Sequence, residues 1–132
     1  RTVRGERFRL IWNLNPTAKY TNACTRAEAF QSMIAKAKAG NAHAEEFVSK
    51  YHFRPEFELF DCNADPLEMN NVADNPEYAK VVTRLKGKLD DWMTDQGDQG
   101  IQTELDAIYH ASKAMGKSKA EVDAAWEKKN AK

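Results

Sequence analysis

The chain has 132 residues, and its 20 basic and 20 acidic side chains cancel to a formal net charge of zero. A neutral chain lacks the excess positive charge with which proteins bind nucleic acids or anionic membranes, so we expect neither partner. No apolar run approaches the roughly 20 residues that a membrane-spanning helix needs. Hydrophobic residues at 42% and charged residues at 30% are typical of one globular domain. Strand-like sequence starts at Arg1 without an initial methionine, so we expect a piece of a longer protein.

Residues 1–14 predict a β-hairpin. The β-branched and aromatic residues within 2–4 and 8–12 suit two half-buried strands, and Gly5 provides a permissive backbone for the turn between them. Pro16 cannot donate to a strand ladder, so the second strand ends before it.

A helical hairpin is predicted over residues 25–51, as an insertion between two strands. Thr25 and Glu28 have the spacing of a capping box, which predicts the start of the first helix. Gly40 predicts its end, and Asn41 is a good cap for the second helix. The apolar faces consist of Phe30, Met33, Ile34 and Ala37 in the first helix and Ala44, Phe47, Val48 and Tyr51 in the second.

A further strand is predicted at residues 57–61, followed by a turn rich in Asp and Asn and then by the longest helix. Asn75 is a suitable cap for this helix, and Pro76 suits its first position. Its apolar stripe consists of Tyr78, Val82, Leu85, Leu89 and Trp92. A stripe of this kind must cover an apolar surface, so we expect the helix to pack on the small sheet.

Two more helices are predicted beyond Gly97 and Gly100. The first carries Ile101, Leu105, Ile108, Ser112 and Met115. The second is opened by a capping box of Ser118 and Glu121 and carries Val122, Ala125 and Trp126. The predicted fold is therefore α+β: a small antiparallel β-sheet, a long amphipathic helix packed on it, a helical hairpin insertion and extra C-terminal helices.

No group of residues forms a convincing catalytic or metal site. None of the three histidines is spaced as a metal ligand with Cys or another His, which argues against zinc. Asp61, Asp65 and Glu68 cluster in one turn, where a cation site and simple turn bonding are both open interpretations. Cys24 and Cys62 are either a disulfide or two thiols, and they do not identify a compartment.

The loop after the helical hairpin is the best candidate for binding. Tyr51, His52 and Arg54 come just before a predicted strand, a position where binding residues often lie. An ordinary surface loop is the alternative interpretation.

Four segments, each weak alone, follow one another in an order typical of one enzyme family. They are Arg1-x-Val3-Arg4-x3-Phe8-x-Leu10 with Asn13-Leu14-Asn15-Pro16, then Arg54-Pro55-x-Phe57-Glu58-Leu59-Phe60-Asp61, then Asp65-Pro66-x-Glu68-x2-Asn71-Val72-Ala73, and finally Leu89-Asp90-Asp91-Trp92-Met93 followed by Gly97-Asp98. Over residues 1–98 this order resembles the C-terminal subdomain of the formylglycine-dependent sulfatases. The Asn-Leu-Asn-Pro segment and the insertion are most similar to the heparan N-sulfatase (N-sulfoglucosamine sulfohydrolase) branch. Residues 99–132 match no family motif and are expected to be a helical extension.

The resemblance implies a function for the whole protein. In that family the subdomain has a sheet of about four strands, docks on an N-terminal catalytic domain and closes one side of the substrate pocket. The implied reaction is hydrolysis of sulfate esters or sulfamates of carbohydrates, with heparan-type glycosaminoglycan as the expected substrate. Calcium and formylglycine are implied in the N-terminal domain, and the implied location is periplasmic or secreted. Tyr51, His52 and Arg54 are expected to border the substrate pocket.

The catalytic motif of the family is not present in this chain. Formylglycine is made from Cys or Ser in a C/S-x-P/A-x-R motif, but Glu28 and Pro66 stand at the arginine position after Cys24 and Cys62. We therefore expect no catalytic residue and no metal ligand here, and no sulfatase activity from the chain by itself. The alternative is a free-standing helical interaction module that binds a partner through the stripes on residues 76–93 and 101–126.

Overall fold

The structure, a computed structural model, describes residues 1–110 and 116–130. These residues form two compact units, and the chain passes from one to the other at Leu89–Asp90. The sequence predicts that the family-like subdomain ends at residue 98. This boundary differs from the division between the two units, and it stays a prediction. The predicted helix positions Ser112 and Met115 lie outside the described residues.

A three-stranded antiparallel sheet forms the base of the first unit. Its strands are β1 (Thr2–Arg4), β2 (Phe8–Trp12) and β3 (Phe57–Asp61), in the order β1-β2-β3. Leu10 is the register partner of Val3 on one side and of Leu59 on the other. The predicted hairpin and the predicted third strand are confirmed. The described residues contain three strands, where the resemblance suggests about four.

Within the first unit, residues 79–89 of the helix α3 (Ala79–Asp95) cover one face of this sheet. As predicted, Asn75 caps its entry: the Asn75 side chain accepts a hydrogen bond from the backbone N–H of Glu77 at 3.0 Å, and Pro76 follows in a 3₁₀ turn. Leu10, Leu59 and Leu85 form the fully buried centre of the core. They are surrounded by half-buried Val3, Phe8, Phe57, Val72, Ala73, Tyr78, Val81 and Val82. The α+β class is thus confirmed.

The end of the predicted apolar stripe on α3 is wrong. Trp92 is 52% exposed, whereas Met93 is 5% exposed. Positions three and four residues after Leu89 both continue a helical stripe, so the pattern alone does not separate them. The buried face of α3 therefore runs through Leu85, Leu89 and Met93.

The predicted helical hairpin is confirmed as α1 (Glu28–Lys38) and α2 (Ala42–His52). Gly40 has a φ of 88°, the left-handed conformation that ends a helix most easily at glycine. The Asn41 side chain accepts a hydrogen bond from the N–H of Ala44 at 2.9 Å, as a helix cap does.

The predicted capping box of Thr25 and Glu28 is wrong. Thr25 is buried in a 3₁₀ turn at Ala23–Arg26, and its hydroxyl donates to the carbonyl oxygen of Asn22 at 2.7 Å. Asn22 caps this turn through its side chain, while α1 starts after Ala27 without a side-chain cap. Asn22 therefore caps the 3₁₀ turn before α1, and the side-chain cap that the pattern predicted for α1 itself is not formed.

The second unit contains the end of α3 and the helices α4 (Ile101–His110) and α5 (Lys119–Asn130). The predicted capping box is confirmed, because a Glu121 carboxylate oxygen accepts from both the N–H and the hydroxyl of Ser118 at 2.8 Å. The Tyr109 hydroxyl donates to Asp123 at 2.7 Å and joins the two helices. In the part of the chain that the structure describes, no helix combines the length and the apolar character needed to cross a bilayer.

Candidate functional site

A groove of about 390 Å³ opens between α2 and β3 in the first unit, and its volume lies in the range of ligand sites. We call it the α2–β3 groove. Its lining residues come from α2, from the loop that follows, from β3 and from the turn before residue 72. They are Phe47, Lys50, Tyr51, Phe53, Arg54, Pro55, Glu58, Phe60, Glu68, Met69 and Asn71.

The alternation of side chains along β3 explains one wall of the groove. Leu59 points into the core under α3, so Glu58 and Phe60 point to the opposite face of the sheet. Phe60 is only 5% exposed and is one of the residues that line the groove. The sheet therefore has an apolar surface on both faces, one for α3 and one for the groove.

Two of the three predicted site residues, Tyr51 and Arg54, line the groove together. The Tyr51 ring packs 4.8 Å from the Phe30 ring, and its hydroxyl donates to Asn22 at 3.3 Å. The Arg54 guanidinium lies over the Tyr20 ring, 5.0 Å from the ring centroid. Both side chains are thus held by aromatic neighbours at the carboxyl end of α2.

His52, the third predicted residue, is not among the residues that line the groove. It is 7% exposed, and its Nδ1 lies 2.9 Å from the carbonyl oxygen of Tyr20. Because a carbonyl oxygen only accepts, Nδ1 carries the proton in this bond. The Tyr20 N–H donates in turn to the carbonyl oxygen of His52 at 2.8 Å, so the two residues form a clamp. A contact between His52 and substrate stays a prediction.

The polar groups on the β3 side of the groove are already paired within the chain. Glu58 accepts a hydrogen bond from the Asn13 side chain at 2.9 Å, and Glu68 pairs with Arg9 at 2.8 Å. The Asn71 side chain accepts from the Leu59 N–H at 2.8 Å. The two carboxylates are therefore committed to structural partners.

The two cations on the α2 side of the groove, Lys50 and Arg54, differ in whether they have a carboxylate partner. Lys50 forms an exposed ion pair with Glu46, one turn earlier on α2, at 2.7 Å. Among the residues that the structure describes, Arg54 has no carboxylate partner. Arg54 is thus the groove's available positive charge.

The acidic turn after β3 is built by local bonding. Asp61 is paired with Arg7 and also accepts from the N–H groups of Asn63 and Ala64 at 3.3 and 3.4 Å. The hydrogen bond from Arg7 lowers the pKa of Asp61. Asp65 accepts from the N–H of Asn70 at 2.7 Å. Of the two interpretations left open for this turn, the structure favours turn bonding; the described ranges hold no group of three metal-ligating side chains.

Both cysteines are free thiols in the structure. Cys24 is exposed and Cys62 is half-buried, with its sulfur 3.9 Å from a Glu68 carboxylate oxygen. A disulfide between them is therefore not present.

Sequence reasoning missed the residues that form the second wall of the groove. Phe60, Glu68 and Met69 line it together with Tyr51 and Arg54. Glu68 and Phe60 belong to the family-like segments, but nothing in the sequence indicates that these segments approach α2.

Comparison with known proteins identifies similar enzymes. An ulvan-active sulfatase from Formosa agariphila is 34% identical over 111 residues, which are 82% of this chain and 19% of that protein. N-sulphoglucosamine sulphohydrolase from Homo sapiens is 28% identical over 104 residues, 76% of this chain and 21% of that protein. A Delta 4,5-hexuronate-2-O-sulfatase from Bacteroides thetaiotaomicron is 36% identical over 50 residues, 38% of this chain and 10% of that protein. No protein-family model matches the chain. The curated relatives are thus sulfatases, and the chain spans about a fifth of the length of the first two.

Proposed function

We propose that this chain is the C-terminal subdomain of a sulfatase that hydrolyses sulfate esters or sulfamates of carbohydrates. The observation that carries the proposal is the 34% identity to an ulvan-active sulfatase over 82% of the chain. The names of two other relatives contain a sulfated glucosamine and a hexuronate, which supports a heparan-type glycosaminoglycan as the substrate. The family resemblance to the heparan N-sulfatase branch points the same way.

In this proposal the chain completes the fold of the enzyme and borders its substrate pocket. Its partner is an N-terminal catalytic domain of the same protein. The α2–β3 groove supports a bordering role, because it places Tyr51 and Arg54 on one open surface. His52 contributes through its clamp with Tyr20, which holds the start of the Arg54 loop.

The reacting groups belong elsewhere in the protein. The residues of this chain do not fit formylglycine, because neither cysteine is followed by the required arginine. They do not fit calcium either, because Asp61, Asp65 and Glu68 are bonded to protein groups. We therefore assign the nucleophile and the calcium ion to the N-terminal domain and propose that the whole enzyme is periplasmic or secreted.

A free-standing helical interaction module remains the second candidate. The stripe on residues 76–93 is not free for a partner, because Leu85 is buried against the sheet. The exposed side chains of Ile101 and Leu105 on α4 are the observation that favours this alternative. A module of this kind has no sulfatase activity in any context, which separates the two candidates.

The test is sulfate release by the complete protein that contains this chain. We expect hydrolysis of N-sulfoglucosamine or of a sulfated uronic sugar, and unchanged kcat and KM after Cys24→Ala and Cys62→Ala, because neither thiol is the nucleophile. Sulfate is measured by ion chromatography. Absence of turnover with every sulfated sugar rejects the proposal, and loss of kcat in either cysteine variant rejects the assignment of the nucleophile.

A further inference from the structure

We propose that the α2–β3 groove binds the anionic sugar that flanks the sulfated sugar, and that Arg54 is its specificity-determining residue. This inference rests on the proposed function and names the part of the substrate that the chain contacts. Its ligand is a pyranose ring with a carboxylate or sulfate group. Three properties of the groove support this assignment: its shape, its charged groups and the position of Arg54.

The shape of the groove suits a sugar ring. Its volume of about 390 Å³ is near the lower end of the range for small-molecule sites. Phe47, Tyr51 and Phe53 line it from the helical side, and Phe60 lines it from the sheet. Aromatic faces pack well against the C–H face of a pyranose, while the open side leaves the sugar hydroxyls in water.

Arg54 is the group of the groove that can pair with an anion. Glu68 is paired with Arg9, and Glu58 keeps its negative charge but accepts a hydrogen bond from the neutral Asn13 side chain. Lys50 shares its charge with Glu46. Among the described residues the guanidinium of Arg54 has no carboxylate partner, and its planar fork matches the paired oxygens of a carboxylate or sulfate.

Arg54 is held in place before any ligand arrives. Its guanidinium lies over the Tyr20 ring, an arrangement that leaves the N–H edges of the guanidinium free to donate. The backbone of Tyr20 is held by its two hydrogen bonds with His52. The Tyr20 ring lies 5.8 Å from the Tyr51 ring, and its hydroxyl accepts a hydrogen bond from the Asn22 side chain at 3.2 Å. A side chain held in this way loses little conformational entropy on binding, so more of the interaction appears as affinity.

The experiment compares two substrate lengths in the complete protein. The substrates are N-sulfoglucosamine alone and a disaccharide in which N-sulfoglucosamine is joined to a hexuronate. For Arg54→Ala we expect KM for the disaccharide to rise about tenfold, the effect of one lost charge-assisted hydrogen bond. We expect kcat, and KM for the monosaccharide, to stay unchanged. Arg54→Lys recovers part of the loss, because it keeps the charge without the fork.

Arg84→Ala is the matched control, because Arg84 is exposed on α3 and lies outside the groove lining. Two further disaccharides identify the anion: in one the uronic carboxylate is reduced to an alcohol, and in the other the reduced sugar carries a 2-O-sulfate. If the carboxylate is the ligand, Arg54→Ala raises KM only for the unreduced disaccharide. If the sulfate is the ligand, Arg54→Ala raises KM for the 2-O-sulfated disaccharide.

Three results overturn the inference. The first is an equal rise in KM for the monosaccharide and the disaccharide, and the second is no difference between Arg54→Ala and Arg84→Ala with any of the three disaccharides. The third is a lower melting temperature of Arg54→Ala with both KM values unchanged, which means that another part of the protein covers the groove. If the complete protein releases no sulfate, the proposed function fails, and calorimetric titration with the disaccharide then tests the inference. Binding to Arg54→Ala that is about tenfold weaker than binding to the unmutated protein supports the inference. Equal binding to the two proteins rejects it.

Discussion

Asp61 and Arg7 form the ion pair that ties the hairpin turn to the end of β3, across 54 positions of the sequence. Asp61 is buried and Arg7 is half-exposed, and both carboxylate oxygens accept from the Arg7 Nε at 3.0 Å. The pairing lowers the pKa of Asp61 and raises that of Arg7. The folded state therefore favours the ionised form of both groups.

A pH-dependent stability follows from the Asp61 pair. Because the folded-state pKa of Asp61 lies below its value in the unfolded chain, the carboxylate stabilises the fold at pH values above about 4, the unfolded value. That contribution is lost as the pH falls through the lowered folded-state pKa. We expect Asp61→Asn to lower the free energy of unfolding at pH 7, and the difference from the unmutated chain to shrink at pH 3.

Urea unfolding of the two proteins at both pH values measures this difference. Glu46→Gln is the control, because Glu46 forms an exposed pair with Lys50 and exposed pairs contribute little. A difference between Asp61→Asn and the unmutated chain that is the same at pH 3 and pH 7 would contradict the role of the ionised pair.

Single residues also define the limit of sequence reasoning about the groove. Tyr51 and Arg54 were predictable together, because they are close in sequence at the end of one helix. Phe60 and Glu68 were not, because they line the same groove as α2 only through the tertiary placement of the helical hairpin. Local spacing contains no information about that approach.

At the scale of the elements, substitutions on α3 test which face of this helix is buried in the core. Leu85 is 3% exposed and contacts Leu10 and Leu59, whereas Trp92 is half-exposed. We expect Leu85→Ala to cost about 2–5 kcal/mol of unfolding free energy, since it leaves a cavity. Trp92→Ala is expected to cost about 1 kcal/mol or less, despite the larger side chain. Urea unfolding measures both, and an equal or larger cost for Trp92→Ala would contradict the face assignment.

The helix starts show which element boundaries a sequence can predict. Asn41 and Asn75 cap the helices that follow them, because each cap bonds only to an N–H two or three residues later. Thr25 failed as a predicted cap, because it lies in a 3₁₀ turn that Asn22 caps, and α1 starts after that turn without a side-chain cap. Local chemistry therefore predicts a boundary well only where one capping residue is present.

At the scale of the whole molecule, we propose that the chain is one part of a longer sulfatase. The chain is similar to sulfatases over most of its length but spans about a fifth of the first two relatives. Its described residues provide a sheet, a covering helix and a groove with one available arginine. Its two cysteines lack the sequence context of the family's nucleophile. The central claim is that the chain borders a sulfatase site without performing the reaction.

Turnover of an aryl sulfate by the complete protein and by the isolated 132-residue chain, measured side by side, tests this claim most directly. We expect release of the phenol by the complete protein and only the uncatalysed background rate with the isolated chain. Turnover by the isolated chain above that background would contradict the account.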